Sequence, residues 1–130
     1  MRQKKGVDVR IITPHIPDKK TIFLMTRSSY QRLILDGIKI YEYTPGFIHA
    51  KNFVSDDKFA VCGTTNLDYR SLVHHYECGI WMYHVECIKD MKEDFEETLK
   101  QSGQIDEARA KLKGWERLLA EVMKVFSPLL

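Results

Sequence analysis

No run in this 130-residue sequence approaches the ~18 consecutive apolar residues that a helix needs to cross a bilayer, so a transmembrane span is not expected. Met1-Arg2-Gln3-Lys4-Lys5 is not followed by the apolar core of a secretory signal, and the chain by itself is expected to be soluble. Cysteine is scarce: Cys62, Cys78 and Cys87 form no CxxC pair and leave one over, which suits a reducing compartment and gives no ligand spacing for structural zinc. Net charge is also small. With 20 Lys+Arg against 18 Asp+Glu, the balance of +2 carries no signature of a nucleic-acid groove or an anionic-membrane patch. There is no internal repeat or low-complexity tract, and Gln101-Ser102-Gly103-Gln104 is the only linker-like stretch. What is present is enough apolar residue, 44%, to bury one core of ordinary size.

The apolar pattern alternates between strand and helix periods, which predicts an α/β fold with a mixed β-sheet flanked by helices. Val7 to Thr13 is a β-branched run ended by Pro14 and is expected as a strand. Thr21 to Asp36 places Leu24, Met25, Leu33 and Ile34 at helical spacing before Gly37, a helix with a glycine stop. Ile38 to Tyr43 is a second strand, and strand–helix–strand implies a right-handed parallel crossover. A strand from Glu77 to Tyr83 and a helix from Val85 to Gln101 follow. Residues 1–104 are read as one unit, with 105–130 an amphipathic helix packed on it. In that helix Ile105, Ala108, Leu112, Trp115, Leu119, Val122 and Phe126 recur by threes and fours as one apolar stripe. Trp115, Phe126 and Pro128-Leu129-Leu130 would also suit a membrane surface, but the polar face mixes Glu116 and Glu121 with Lys111, Lys113, Arg117 and Lys124 and lacks a basic bias.

The chemistry concentrates in His49-Ala50-Lys51-Asn52-Phe53-Val54-Ser55-Asp56, an HxKxxxxD pattern followed by Gly63-Thr64-Thr65-Asn66 and then Glu77. A chance match to the first pattern alone is on the order of one in a hundred for a chain of this length. Histidine can act as nucleophile or general acid near neutral pH, lysine supplies positive charge for phosphate oxygens, and an asparagine amide adds a directed donor. If 48–54 is a strand, His49 and Lys51 share a face that Phe53 continues as an apolar wall. Asp56-Asp57 reads as the tight turn into a strand from Lys58 to Cys62, which returns Asn66 beside His49. Asp56 is then better placed to hold the hairpin than to touch substrate. His74-His75, lacking a third spaced ligand, reads as a solvated loop, and His15 as ordinary loop chemistry with a possible place on the substrate rim. Asp68, Arg70 and Ser71 read equally as capping around the asparagine loop and as site residues.

HxKxxxxD with the Gly-Thr-Thr-Asn-Leu-Asp-x-Arg-Ser run resembles the phospholipase D superfamily. Gly6–Ile12, Gly37–Tyr43, Pro45–Lys51, Asn66–Ser71, Trp115–Leu119 and Ser127–Leu130 are similar to the carboxy-terminal half of the bacterial cardiolipin synthase family, and the likeness covers nearly the whole chain. Members carry two copies of the motif and this chain carries one, so the resemblance implies one phospholipase D-like half-domain and half of an active site. It implies a phosphatidyltransferase joining two phosphatidylglycerols into cardiolipin plus glycerol through a phosphohistidine, with no metal and no cofactor. His49, Lys51 and Asp56 would be the catalytic motif, Lys51, Thr64 and Asn66 the phosphate cradle, and Glu77 the group orienting His49. Implied partners are phosphatidylglycerol, the other motif half or a homodimer mate, and, through the parent protein, a membrane surface; no nucleic acid is expected. The implied location of the parent is the bacterial cell membrane, catalytic domain on the cytoplasmic side. Two other readings remain open: a homodimeric single-motif phosphodiesterase or nuclease, and an inactive anion-binding domain. Thr64 where serine is common and Cys62 where a valine-like residue is typical are small departures that leave the donor set intact.

Overall fold

A computed structural model describes residues 6–17 and 19–125. Phe126 and the tail Pro128-Leu129-Leu130, invoked above for the last helix, lie outside the described residues. The chain divides into two compact units, one built up to Ile48 and again from Gln101, the other from His49–Lys100.

In the first unit, strand β1 (Arg10–Pro14) lies parallel to β2 (Lys39–Tyr43), with Ile11 opposite Ile40, and helix α1 (Lys20–Leu35) forms the crossover between them. Strand β6 (Ser102–Ile105) pairs antiparallel with the other edge of β2, so the sheet is mixed, as the alternation of periods predicts. The core gathers Tyr30, Ile38, Ile40, Ile105 and Ala110, with Val9, Ile11, Leu33 and Ile34 packed against it. α1 stops where Gly37 takes a φ of +88°; the Gly37 N–H donates to Ile34 O at 2.9 Å and the Ile38 N–H to Leu33 O at 3.0 Å. These two bonds are the paired closure of a Schellman motif, and only glycine enters it without steric cost. Glu42, 5% exposed, is held between His15 Nδ1 at 2.9 Å and Arg27 Nε at 3.9 Å. Near it the Tyr30 hydroxyl shares a 2.7 Å hydrogen bond with Thr13, and burial pushes its pKa up to about 12.

The continuous helix expected over 105–130 is not what forms. Ile105 is the last residue of β6, opposite Ile40 and 4% exposed, because a strand position at the core buries it more completely than a helix turn would. Asp106 then caps a single helical turn, α3 (Glu107–Ala110), accepting the Arg109 N–H at 2.7 Å, and the chain leaves helical geometry until Gly114. The second helix, α4 (Gly114–Val125), begins with Glu116 accepting the Lys113 N–H at 2.9 Å. Both helices pack on α1, and the residues that go under are small: Ala110 and Ala120 are buried, while Trp115, Leu119 and Val122 of the expected stripe are exposed. Small side chains permit close helix approach, which an apolar-spacing argument does not register.

The second unit is an antiparallel meander of β3 (Asn52–Ser55), β4 (Phe59–Gly63) and β5 (Gly79–Tyr83), with helix α2 (Cys87–Lys100) packed against β3. Phe53, Val61 and Trp81 stand opposite one another across the three strands. On that same face Phe59 sits 4.8 Å from Tyr83, and Trp81 stacks with Tyr83 at an interplanar angle of 5°. The β3–β4 turn is the expected Asp56-Asp57 pair, both at positive φ (52° and 56°), closed by the Lys58 N–H on Ser55 O at 3.1 Å. Lys92 of α2 clasps Asp57 at 2.6 Å. The strand expected over 48–54 begins only at Asn52, so His49 and Lys51 precede it. One further rung, Gly63 N–H to Lys51 O at 3.3 Å, carries the ladder back as far as Lys51.

Candidate active site

The residues singled out for chemistry fall within the second unit. Lys51 is tied at both ends: its carbonyl accepts the Gly63 N–H, and its Nζ donates to the His49 carbonyl at 2.6 Å. Partial burial pulls the Lys51 pKa below its ordinary value, and the negative charge of Glu77 offsets part of that pull.

The end of the sheet is drawn tight by glycine. A Cβ on Gly63 would stand 2.4 Å from Cys78 O and 2.7 Å from Gly79 Cα, so β4 and β5 close to this distance only because residue 63 has no side chain. The close approach delivers Thr64 to Cys78 and Glu77. The Thr64 N–H donates to Cys78 O at 2.9 Å, its Oγ1 accepts the Cys78 N–H at 3.0 Å, and its hydroxyl donates to Glu77 Oε2. Glu77 consequently stays below the usual carboxylate range, held there first by Thr64 and then by Ser71, against a smaller opposing effect of burial.

Thr64→Val should therefore raise the Glu77 pKa toward the ordinary carboxylate value, a change read by NMR titration of its carboxyl carbon. A folded-state pKa held low means stabilisation present above the unfolded value and lost as pH falls through the folded one. The stability deficit of Thr64→Val should accordingly be full at neutral pH and vanish in acid. An unmoved Glu77 titration would show that Thr64 does not hold it.

Beyond Thr64 the chain turns through Asn66 and Asp68 into one π-helical turn, Arg70–His74, closed by the His75 N–H on Arg70 O at 2.9 Å. Buried Ser71 organises this loop: its N–H is taken by Asp68 Oδ1 at 2.7 Å and its Oγ accepts Asn66 Nδ2 at 3.4 Å. His75 leaves the turn in extended geometry, its Nε2 receiving the Arg70 Nε–H at 2.8 Å and its Nδ1 lying 3.7 Å from Glu77 Oε1. Among the described residues no group of three or more His, Cys, Asp or Glu side chains is arranged to hold a metal ion, and no helix is long and apolar enough to cross a membrane.

The family model described as "Cardiolipin synthase, PLD-like domain" matches residues 2–99. The chain belongs to this family. It is 39% identical over 126 residues to a cardiolipin synthase of Geobacillus sp. (strain WCH70), covering 96% of this chain and 25% of that protein. It is 36% identical over 126 residues to cardiolipin synthase 2 of Bacillus anthracis, covering 96% and 24%. An uncharacterized protein of Streptococcus mutans serotype c is 51% identical over 128 residues, 98% of this chain and 28% of the relative. The chain thus spans about a quarter of the length of these relatives. No solved structure matches.

Within this cardiolipin synthase-type domain the structure sorts the expected site residues. Lys51, Thr64 and Glu77 are brought into one electrostatic group, and the motif histidine is joined to it through its backbone carbonyl. Thr64, expected in the phosphate cradle, has its hydroxyl directed to Glu77 Oε2 in this structure. Asp56 sits in the turn at the opposite end of β3 from Lys51, where its carboxylate accepts the Ser55 hydroxyl at 3.3 Å. His75 is exposed in the loop, as expected from the sequence, and its Nδ1 also lies 3.7 Å from Glu77 Oε1. The signal for it was alternation: in an extended stretch, residues 75 and 77 share a face.

Proposed function

We propose that this chain supplies one histidine–lysine motif of a phosphatidyltransferase that converts two phosphatidylglycerols into cardiolipin and glycerol. The observation that carries the reading is Lys51, whose ammonium lies 2.6 Å from the His49 carbonyl and in the field of the Glu77 carboxylate that Thr64 hydrogen-bonds, in a domain of the cardiolipin synthase family. One motif histidine attacks phosphorus while the bond from phosphorus to the glycerol oxygen breaks, and the histidine of the other motif protonates the departing oxygen. That second histidine then takes the proton from the hydroxyl of another phosphatidylglycerol, whose oxygen attacks phosphorus and frees the first histidine. Lys51 and Asn66 neutralise the non-bridging oxygens in both steps; the 3.4 Å contact of Asn66 Nδ2 with Ser71 is weak enough to be exchanged for a phosphate oxygen. Glu77 orients His49 and favours its protonated form, and Asp56 acts by holding the hairpin. These donors are organic cations and amides, so the cradle operates without a metal. In this reading the parent protein works at the bacterial cell membrane with its catalytic domain on the cytoplasmic side, and the second motif comes from elsewhere in the parent.

The test compares this chain alone with the complete enzyme on phosphatidylglycerol vesicles in excess chelator. The complete enzyme should form cardiolipin and glycerol at its normal rate. The isolated monomer should be slower by about 10²-fold or more, because it lacks the partner acid or nucleophile. A chelator-sensitive rate restored by one metal would overturn the mechanism. Activity of the isolated chain rising with the square of its concentration would put a homodimeric site in its place.

A further inference from the structure

Arg70, His75, Glu77 and Thr64 form a line of contacts that reaches Lys51 by way of the Glu77 charge. Each link has a direction. Arginine donates and never accepts, so the 2.8 Å bond from Arg70 Nε requires a lone pair on His75 Nε2. A neutral imidazole accepting at Nε2 carries its proton on Nδ1, and Nδ1 is the nitrogen turned toward Glu77 Oε1 at 3.7 Å. The opposite oxygen, Oε2, takes the Thr64 hydroxyl. Glu77 thus has the Thr64 hydroxyl bonded to one oxygen and His75 Nδ1, in the tautomer that arginine selects, 3.7 Å from the other, just outside hydrogen-bond range.

We propose that His75 is a positioning residue of the transfer site: Arg70 locks it as the Nδ1–H tautomer, and in that form it holds the Glu77 carboxylate in place to act on Lys51 and His49. The proposal rests on the phosphatidyltransfer reading above only for its effect on rate; the tautomer lock stands on the geometry alone. His75 touches no reacting atom in this account. Its influence passes through Glu77, and loss of a group that orients a catalytic carboxylate typically costs 10-fold or more in activity, by analogy with the outer-shell partners of catalytic ligands.

The experiment has two arms. In the first, the imidazole nitrogens of this chain are labelled with 15N and read by NMR at a pH where His75 is neutral. His75 should show the Nδ1–H tautomer, and Arg70→Ala should return it to the Nε2–H form that free imidazole side chains favour. In the second, turnover of phosphatidylglycerol by the complete enzyme is measured for His75→Ala and His75→Asn. The alanine variant should lose on the order of tenfold in kcat/KM. The asparagine variant should recover most of that loss, since its Nδ2 occupies the place of the imidazole Nδ1 and offers Glu77 the same donor. A role in folding alone would not be rescued by a donor at that one position. An Nε2–H tautomer in the wild-type chain overturns the lock. Normal kcat/KM in His75→Ala, or no recovery in His75→Asn, overturns the positioning role. Failure of the phosphatidyltransfer reading is separate and visible as absence of turnover in the wild-type enzyme, with the tautomer arm still deciding the lock.

Discussion

His49→Ala in the complete enzyme should reduce cardiolipin formation from phosphatidylglycerol by about 10⁴-fold or more, since residues that act together as nucleophile and acid cannot stand in for one another. His49 is exposed and precedes the first strand of its unit, so the variant should fold and the loss should appear in the rate. Asp56→Ala provides the contrast within the same motif. Asp56 occupies a turn position with φ of 52°, a conformation that costs an alanine roughly 1–2 kcal/mol, so its removal should lower stability while leaving the rate per folded molecule near normal. Near-normal turnover by a folded His49→Ala protein would end the assignment of this histidine to catalysis.

The second large effect is on stability. Gly63→Ala should destabilise the chain by about 3 kcal/mol or more, measured by chemical denaturation, because the added Cβ meets backbone atoms of Cys78 and Gly79 that no side-chain rotation can move aside. With domain stabilities of roughly 5–15 kcal/mol, such a change removes a large part of the total. It would also separate Thr64 from Cys78, since the bond from the Thr64 N–H to Cys78 O and that from the Cys78 N–H to Thr64 Oγ1 both lie next to the crowded position. Gly46→Ala is the control: nothing lies within 4 Å of its Cβ and its φ is not positive, so the same substitution there should be nearly silent. Equal denaturation midpoints for the two variants would refute the close-approach argument.

How much could be read in advance differs from residue to residue. The Gly37 helix stop and the Asp56-Asp57 turn were legible because each is decided by a few neighbouring residues: a backbone angle only glycine takes easily, and a pair of short polar side chains. The β1–α1–β2 order was legible too, though β1 runs Arg10–Pro14, taking in the proline expected to end it and leaving out Val7 to Val9. Residues 105–125 were not legible in the same way. The spacing of Ile105 with Ala108 and Leu112 is compatible with a helix, yet Ile40 offered Ile105 a strand partner and a buried position, a preference set by a residue more than sixty places earlier. At the site, HxKxxxxD was visible as a pattern, but the hydrogen bond from Thr64 to Glu77 was not, because it depends on how closely two strands approach.

By itself, then, the sequence determined what local chemistry can determine: the kinds of elements, most of their order, and a histidine, a lysine, an asparagine and a glutamate suited to phosphoryl chemistry. Tertiary structure alone decided the rest. It set which apolar residues of the carboxy-terminal segment are buried, started β3 after rather than before the motif histidine and lysine, and drew Gly63 onto Cys78 and Gly79 so that Thr64 reaches Glu77. The physical reason is common to all three. Burial, strand register and hydrogen-bond pairing are gained only against a partner, and the partner lies far along the chain, where no window of neighbouring residues contains it.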